Sequence, residues 1–209
     1  MKNQFYSYAS LSKSVLLGFL LPGLFMLASC GEDDPVKEDV PELITKATLK
    51  FTPTGGGSVV TVTATDPDGE GVQDIKVDGP INLAASKTYT LSIELINELA
   101  DPADAEYNIT EEVEEEGDEH MFFFSWTAGA FTNPAGNGNI DARADAVNYL
   151  DKDAGNLPIG LQTSWTTGSA RSGDKFRVVL KHQPESKSAT SGFTTGETDV
   201  DIEFVLNVQ

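Results

Sequence analysis

The chain has one cysteine, Cys30, and two histidines, His120 and His182, in 209 residues. A single cysteine excludes any intramolecular disulfide, so the fold must stand on its apolar core. Two histidines leave little material for general-base catalysis or for a metal site built from several imidazoles. Basic residues are also scarce. Against 33 Asp and Glu there are 14 Lys and Arg, a net charge of −19, and a surface this acidic repels phosphate backbones, which argues against nucleic acid as a partner. No G-x-S-x-G, P-loop or H-E-x-x-H pattern occurs. Ser172-Gly173-Asp174-Lys175 has the letters S-x-x-K, but it lacks a helix start and the companion K-T-G motif, and it reads as a turn. Carboxylates abound for glycosidase chemistry, yet nothing selects a pair. The expectation is a protein that is not an enzyme.

What the sequence does have begins at its N-terminus. Lys2 and Lys13 precede an uncharged apolar run, Val15 to Leu27, the layout of a secretion signal. The run is too short to span a bilayer, which takes about 20 apolar residues. Leu27-Ala28-Ser29-Cys30 then resembles the lipobox of bacterial lipoproteins at all four positions. An unpaired thiol in an oxidising exported compartment is a liability unless it is chemically occupied, and thioether linkage to a diacylglycerol would occupy it. Several acyl chains on Cys30 imply durable anchoring, since each buried methylene contributes about 0.8 kcal/mol. Residues 1–29 are therefore read as signal peptide, 30–42 as lipidated cysteine and tether, and 43–209 as the folded domain. The tether sequence GEDDPVKEDVPE is acidic and broken by Pro35 and Pro41, and it reaches up to about 40 Å at roughly 3.3 Å per residue. Its start, CGEDD, resembles the acidic export signal of surface-displayed lipoproteins of the Bacteroidetes type.

From Leu43 onward the hydrophobic period is two. Tyr89, Leu91, Ile93 and Leu95 share one face of a strand, and Val200, Ile202, Phe204, Leu206 and Val208 share another, with Asp199, Asp201 and Glu203 facing out. Ala47, Leu49 and Phe51 precede the glycine run 55–57, and Val60 and Val62 follow it, as in a hairpin. Leu157, Ile159, Leu161 and Trp165 predict a second hairpin with Phe176, Val178 and Leu180, its turn formed by Gly168 to Asp174. His120 to Trp126 is apolar on both alternations and suits a central strand. In 107–119, Ile109 and Val113 fit a helix or a strand equally. The fold class expected is all-β, an antiparallel β-sandwich of Ig-like or Greek-key type, with a closed β-barrel as the alternative.

Three loops carry candidate chemistry. Asp66, Asp68 and Glu70 alternate around Gly69, and carboxylates so spaced on a tight turn can converge on a calcium ion, which takes six to eight oxygen ligands. Val77 stands where an EF-hand loop would place its bidentate glutamate. Asp151 to Asn156 has similar grammar, but it is also what a turn prefers, as is Asn133 to Asn139. The acidic run Glu111 to Glu119, with His120 after it, is read as a solvated edge that discourages strand addition. His182 is read as the end of a strand.

The order of motifs, from TLKFTP and DPDGEG through TYTLSIELINE, ITEEVEEEGDEH, GLQTSWTTG and VVLKHQPESKS to GETDVDIEF, resembles a family of small Bacteroidetes outer-membrane lipoproteins of unknown function. Some of those relatives carry the label "type 1 periplasmic binding fold", which the missing helical period contradicts. The resemblance implies an outer-membrane, cell-surface address, with the periplasmic face as the alternative, and supplies no active site. Three functions fit: a non-enzymatic binding or interaction module for an unknown glycan, protein or small ligand; a β-barrel carrier of a small apolar ligand lined by Phe122, Phe123, Phe124 and Trp126; or a calcium-dependent adhesion or glycan-binding module.

Overall fold

A computed structural model describes residues 42–69 and 75–209. They all belong to one compact unit, Asp39–Gln209. The signal, Cys30 and all of the tether except Glu42 lie outside the described residues, as does Glu70 of the candidate calcium loop.

The described chain is mostly strand: β1 (Lys46–Pro53), β2 (Val60–Thr65), β3 (Lys76–Val77), β4 (Ile81–Leu83) and β5 (Thr88–Ile96), then helix α1 (Ile109–Glu115), then β6 (His120–Trp126), β7 (Phe131–Asn133), β8 (Gln162–Thr167), β9 (Arg171–His182) and β10 (Glu197–Val208). One sheet runs β3-β2-β1-β5-β8-β7 and the other β4-β10-β9-β6. This is the all-β class that the period of two predicts. One pairing departs from an antiparallel plan, because β4 joins β10 in parallel, with Ile81 opposite Leu206 and Leu83 opposite Val208.

The inward faces match the alternation. Tyr89, Leu91, Ile93 and Leu95 of β5 are buried, as are Val200, Ile202, Phe204, Leu206 and Val208 of β10. The expected β1–β2 hairpin forms, with Leu49 opposite Val62 and Phe51 opposite Val60. Residues of both sheets share one continuous core, which also takes in Ile109 and Val113 of α1. Those two settle the ambiguous 107–119 segment as a helix: one turn apart, they drop onto the sheet together. Thr110 pins the helix there, its hydroxyl accepting from the Leu95 amide at 2.7 Å and donating to the Leu95 carbonyl at 3.0 Å.

Two expectations need correction. β8 and β9 are not a hairpin. β8 pairs with β5 and β7, β9 pairs with β6 and β10, and residues 168–170 carry the chain from one sheet to the other. Alternation places Trp165 and Phe176 toward the same interior but does not say whether they approach it from the same sheet. Ser172, Gly173 and Asp174 accordingly lie inside β9, where Asp174 is buried and ion-paired with Arg171.

β6, expected at the centre, is an edge strand with every residue buried. Loops seal its open edge. The Phe122 amide donates to the Ile159 carbonyl at 2.7 Å, the Phe124 amide to Asn139 Oδ1 at 2.9 Å and the Trp126 amide to the Asn137 carbonyl at 3.2 Å. The Phe124 carbonyl accepts from the Asn139 amide, and the Phe122 carbonyl from the Tyr149 hydroxyl. A buried edge must have its donors and acceptors met, and here the 137–159 segment meets them. Gly138 makes the close approach possible, because a Cβ there would collide with the Phe124 carbonyl and its φ is +115°.

Candidate functional site

The described chain has two histidines and the fold stacks them. His120 opens β6, His182 closes β9, and they are direct cross-strand partners. Their rings lie 4.6 Å apart, within 5° of parallel. Each continues its strand's inward parity, His120 with Phe122 and Phe124 and His182 with Leu180 and Val178, so both sit where the apolar core runs out. His120 is wholly buried and His182 nearly so.

Carboxylates surround the pair. Asp199 Oδ2 is 3.8 Å from His120 Nε2, Glu42 Oε1 is 4.0 Å from the same nitrogen, and Glu119 Oε2 is 3.4 Å from His182 Nε2. Glu42 extends the cluster toward α1, since one oxygen from each of Glu42, Glu112 and Glu116 lies within 4.8 Å of the others. His120 Nδ1 is 3.2 Å from the Glu116 carbonyl. A carbonyl only accepts, so Nδ1 carries the hydrogen and Nε2 is the atom turned to Asp199 and Glu42.

Asp199 corrects a strand-face assignment. Alternation with Val200 turns it outward, yet its side chain has no exposed surface. The register between β10 and β9 slips between Thr198 and Val200. The extra residue of such a bulge re-aims its side chain, here into the histidine cluster. Burial pushes its carboxyl up to about 6, against the opposing pull of His182, the Glu42 amide and Lys181.

The acidic run is not the solvated strand edge expected. Glu111, Glu114 and Glu115 are exposed on the helix, while Glu112 and Glu116, four apart, turn toward Glu42. Inward parity was a legible signal for both histidines. Nothing in the sequence marks the bulge that aims Asp199.

A separate cleft of about 400 Å³ lies between α1, β5 and the 151–154 loop, with Ser92, Thr110, Asp151, Gln162, Ile159 and Leu161 among its lining residues. The Asp151–Asn156 segment is the turn expected, built around Asp153, whose Oδ1 accepts from the Leu157 amide at 2.8 Å. Asp153 also meets Lys187 at 2.9 Å, with both side chains almost fully buried. The Lys187 ammonium further donates to the carbonyls of Gly117 and His120, joining the 151–156 turn to the backbone under the histidines.

At the candidate calcium loop, Asp66 and Asp68 lie within mutual reach. Desolvation and the neighbouring Asp68 carboxyl both raise the Asp66 carboxyl above the usual range. Asp66 is fixed by its amide, which donates to the Thr45 carbonyl at 2.7 Å.

The fold and this cluster define the class: an all-β, two-sheet domain with a buried imidazole–carboxylate group at one end. No family model, curated protein or solved structure matches the chain.

Proposed function

We propose that the protein is a lipid-anchored, surface-displayed, non-enzymatic binding module that engages its partner, a glycan, a protein or a small polar ligand, through the polar cleft beside α1. The observation that carries this reading is a filled interior. Phe122, Phe124 and Trp126, the residues that would line the cavity of an apolar carrier, are at most 3% exposed. Phe122 packs on Phe124 instead, Trp126 packs on Phe131, and Phe124 and Trp126 lie 5.5 and 5.0 Å from Trp165 between ring centroids. Phe123 packs on the other side of the sheet with Met121, Ile140 and Val179. A solid core leaves a ligand the surface, and the cleft there offers hydrogen-bonding groups such as Asp151 and Gln162 beside apolar ones such as Ile159 and Leu161. The acylated Cys30 and the acidic tether hold the module off the outer membrane.

Cys30→Ser tests the anchor. The variant is expected to leave the membrane fraction or to remain unprocessed, and acylated, membrane-bound Cys30→Ser protein refutes the assignment. Protease added to intact cells is expected to digest the wild type, and complete protection refutes outward display.

Calcium at Asp66, Asp68 and Glu70 is a second reading, favoured by the proximity of the Asp66 and Asp68 carboxylates, since a cation between them would offset their repulsion. Calcium at a hundredfold above its dissociation constant is expected to stabilise the metal-stripped chain by about 2.7 kcal/mol. Thermal unfolding in millimolar calcium and in chelator measures this, and an equal response in Asp68→Asn removes the loop as the site.

A further inference from the structure

We propose that the cleft between α1, β5 and the 151–154 loop receives a long basic side chain, arginine or lysine, from an exposed segment of a protein partner. The inference rests on the reading of that cleft as the binding site and names its occupant. The lining divides in two. Ile93, Ile159 and Leu161 are buried and make its apolar part, while Glu114, Glu115 and Asp118 are exposed and make an acidic rim. Arginine and lysine have the same division, a methylene stem that packs on apolar surface and a charged head that stays in water or meets a carboxylate. At about 400 Å³ the cleft is at the small end of ligand pockets, which run from roughly 300 to 1,000 Å³, so it suits one anchoring side chain better than a whole folded element.

The charge of the rim is not consumed inside the protein. Two further acids line the cleft and both are committed. Asp151 accepts from the amides of Gly160 and Gln162 at 2.9 and 3.0 Å, and Asp153 is ion-paired with Lys187. Lys152, the one basic residue of the lining, donates to Asn156 at 3.0 Å. Among the described residues, Glu114, Glu115 and Asp118 have no basic partner.

Their position adds to the imbalance. The last turn of α1 holds no basic residue, and Glu114 and Glu115 end the helix. The terminal carbonyls of a helix already carry partial negative charge, so a cation is the favoured neighbour there and an acid is not. A basic group docked from outside relieves that opposition, with its stem on the isoleucines and Leu161. The whole chain acts in the same direction, because a net charge of −19 draws in a basic partner and repels polyanions. A neutral glycan gains nothing from these charges.

The test uses the ¹⁵N-labelled full chain in detergent and three probes: the peptide acetyl-Gly-Arg-Gly-Arg-Gly-amide, the same peptide with citrulline for arginine, and maltohexaose. Citrulline keeps the shape of arginine and removes its charge. The arginine peptide is expected to shift the amide resonances of Thr110, Gly117 and Gln162 saturably, and the citrulline peptide to bind about tenfold more weakly or not at all. Glu114→Gln, Glu115→Gln and Asp118→Asn together should weaken the arginine peptide by about tenfold. Asp101→Asn, Asp104→Asn and Glu106→Gln, an equal loss of charge outside the cleft, should weaken it clearly less. Equal binding of the two peptides, or maltohexaose moving these resonances while the arginine peptide does not, overturns the proposal and leaves the cleft as the binding site. Full affinity in the cleft variant overturns the proposal too. If none of the three probes moves a cleft resonance, the proposal and the cleft reading fall together.

Discussion

Trp165→Ala is expected to destabilise the domain by about 3 to 5 kcal/mol, a large share of the roughly 5 to 15 kcal/mol that folded domains possess. Trp165 is wholly buried, and its ring meets those of Trp126, Phe176, Phe131 and Phe124 at centroid distances of 4.8 to 5.5 Å. Phe176 and Trp126 come from one sheet and Trp165 and Phe131 from the other, so these edge-on contacts hold the two layers together. The indole N–H donates to the Thr163 hydroxyl at 2.7 Å, and truncation strands that partner as well. Urea unfolding followed by circular dichroism measures the loss. Trp165→Phe, which keeps a ring in the gap, should lose clearly less, and a loss below about 1 kcal/mol for the alanine variant contradicts this packing.

Lys187→Met is expected to cost a comparable amount, about 3 to 5 kcal/mol, because it leaves the Asp153 carboxylate buried without its counter-charge. The double variant Lys187→Met with Asp153→Leu should recover most of the loss, since two apolar groups of similar size need no pairing. Failure to recover would mean that the Lys187 bonds to the Gly117 and His120 carbonyls matter more than the ion pair. The pH dependence has a fixed sign. Burial alone would raise the Asp153 carboxyl, but Lys187 and the amides of Leu157 and Gly155 outweigh it and hold the group below its ordinary 3.8. A depressed folded-state pKa means stability that is fully present above 3.8 and lost as pH falls through the lower folded value. Wild type should therefore lose this contribution in acid below about pH 4, and the double variant should not.

The reading of the site turned on side-chain direction. His120 and His182 are far apart in sequence, each alone resembles the end of a strand, and composition argues against a metal centre on two histidines. Their shared inward parity was visible, but parity does not say that β6 lies beside β9 in a register that sets them opposite one another. Asp199 was legible only as an outward acid, because a bulge is a slip between two strands and leaves no mark on either one. The buried edge of β6 misled for a related reason: apolar residues on both faces report burial, which loops 137–159 supply as effectively as a neighbouring strand.

The sequence by itself determined the all-β class, the faces of β1, β5, β6, β9 and β10 and the residues of the core, because alternation follows from the local geometry of a strand and needs no partner. Tertiary structure decided what depends on partners: that the 168–170 link crosses between sheets, that 109–115 is a helix closing the core, and that Glu42, His120, His182 and Asp199 converge. Those outcomes rest on pairing and packing between distant segments, whose free energies are comparable for several arrangements of the same faces and are resolved only when all the elements fill one interior together.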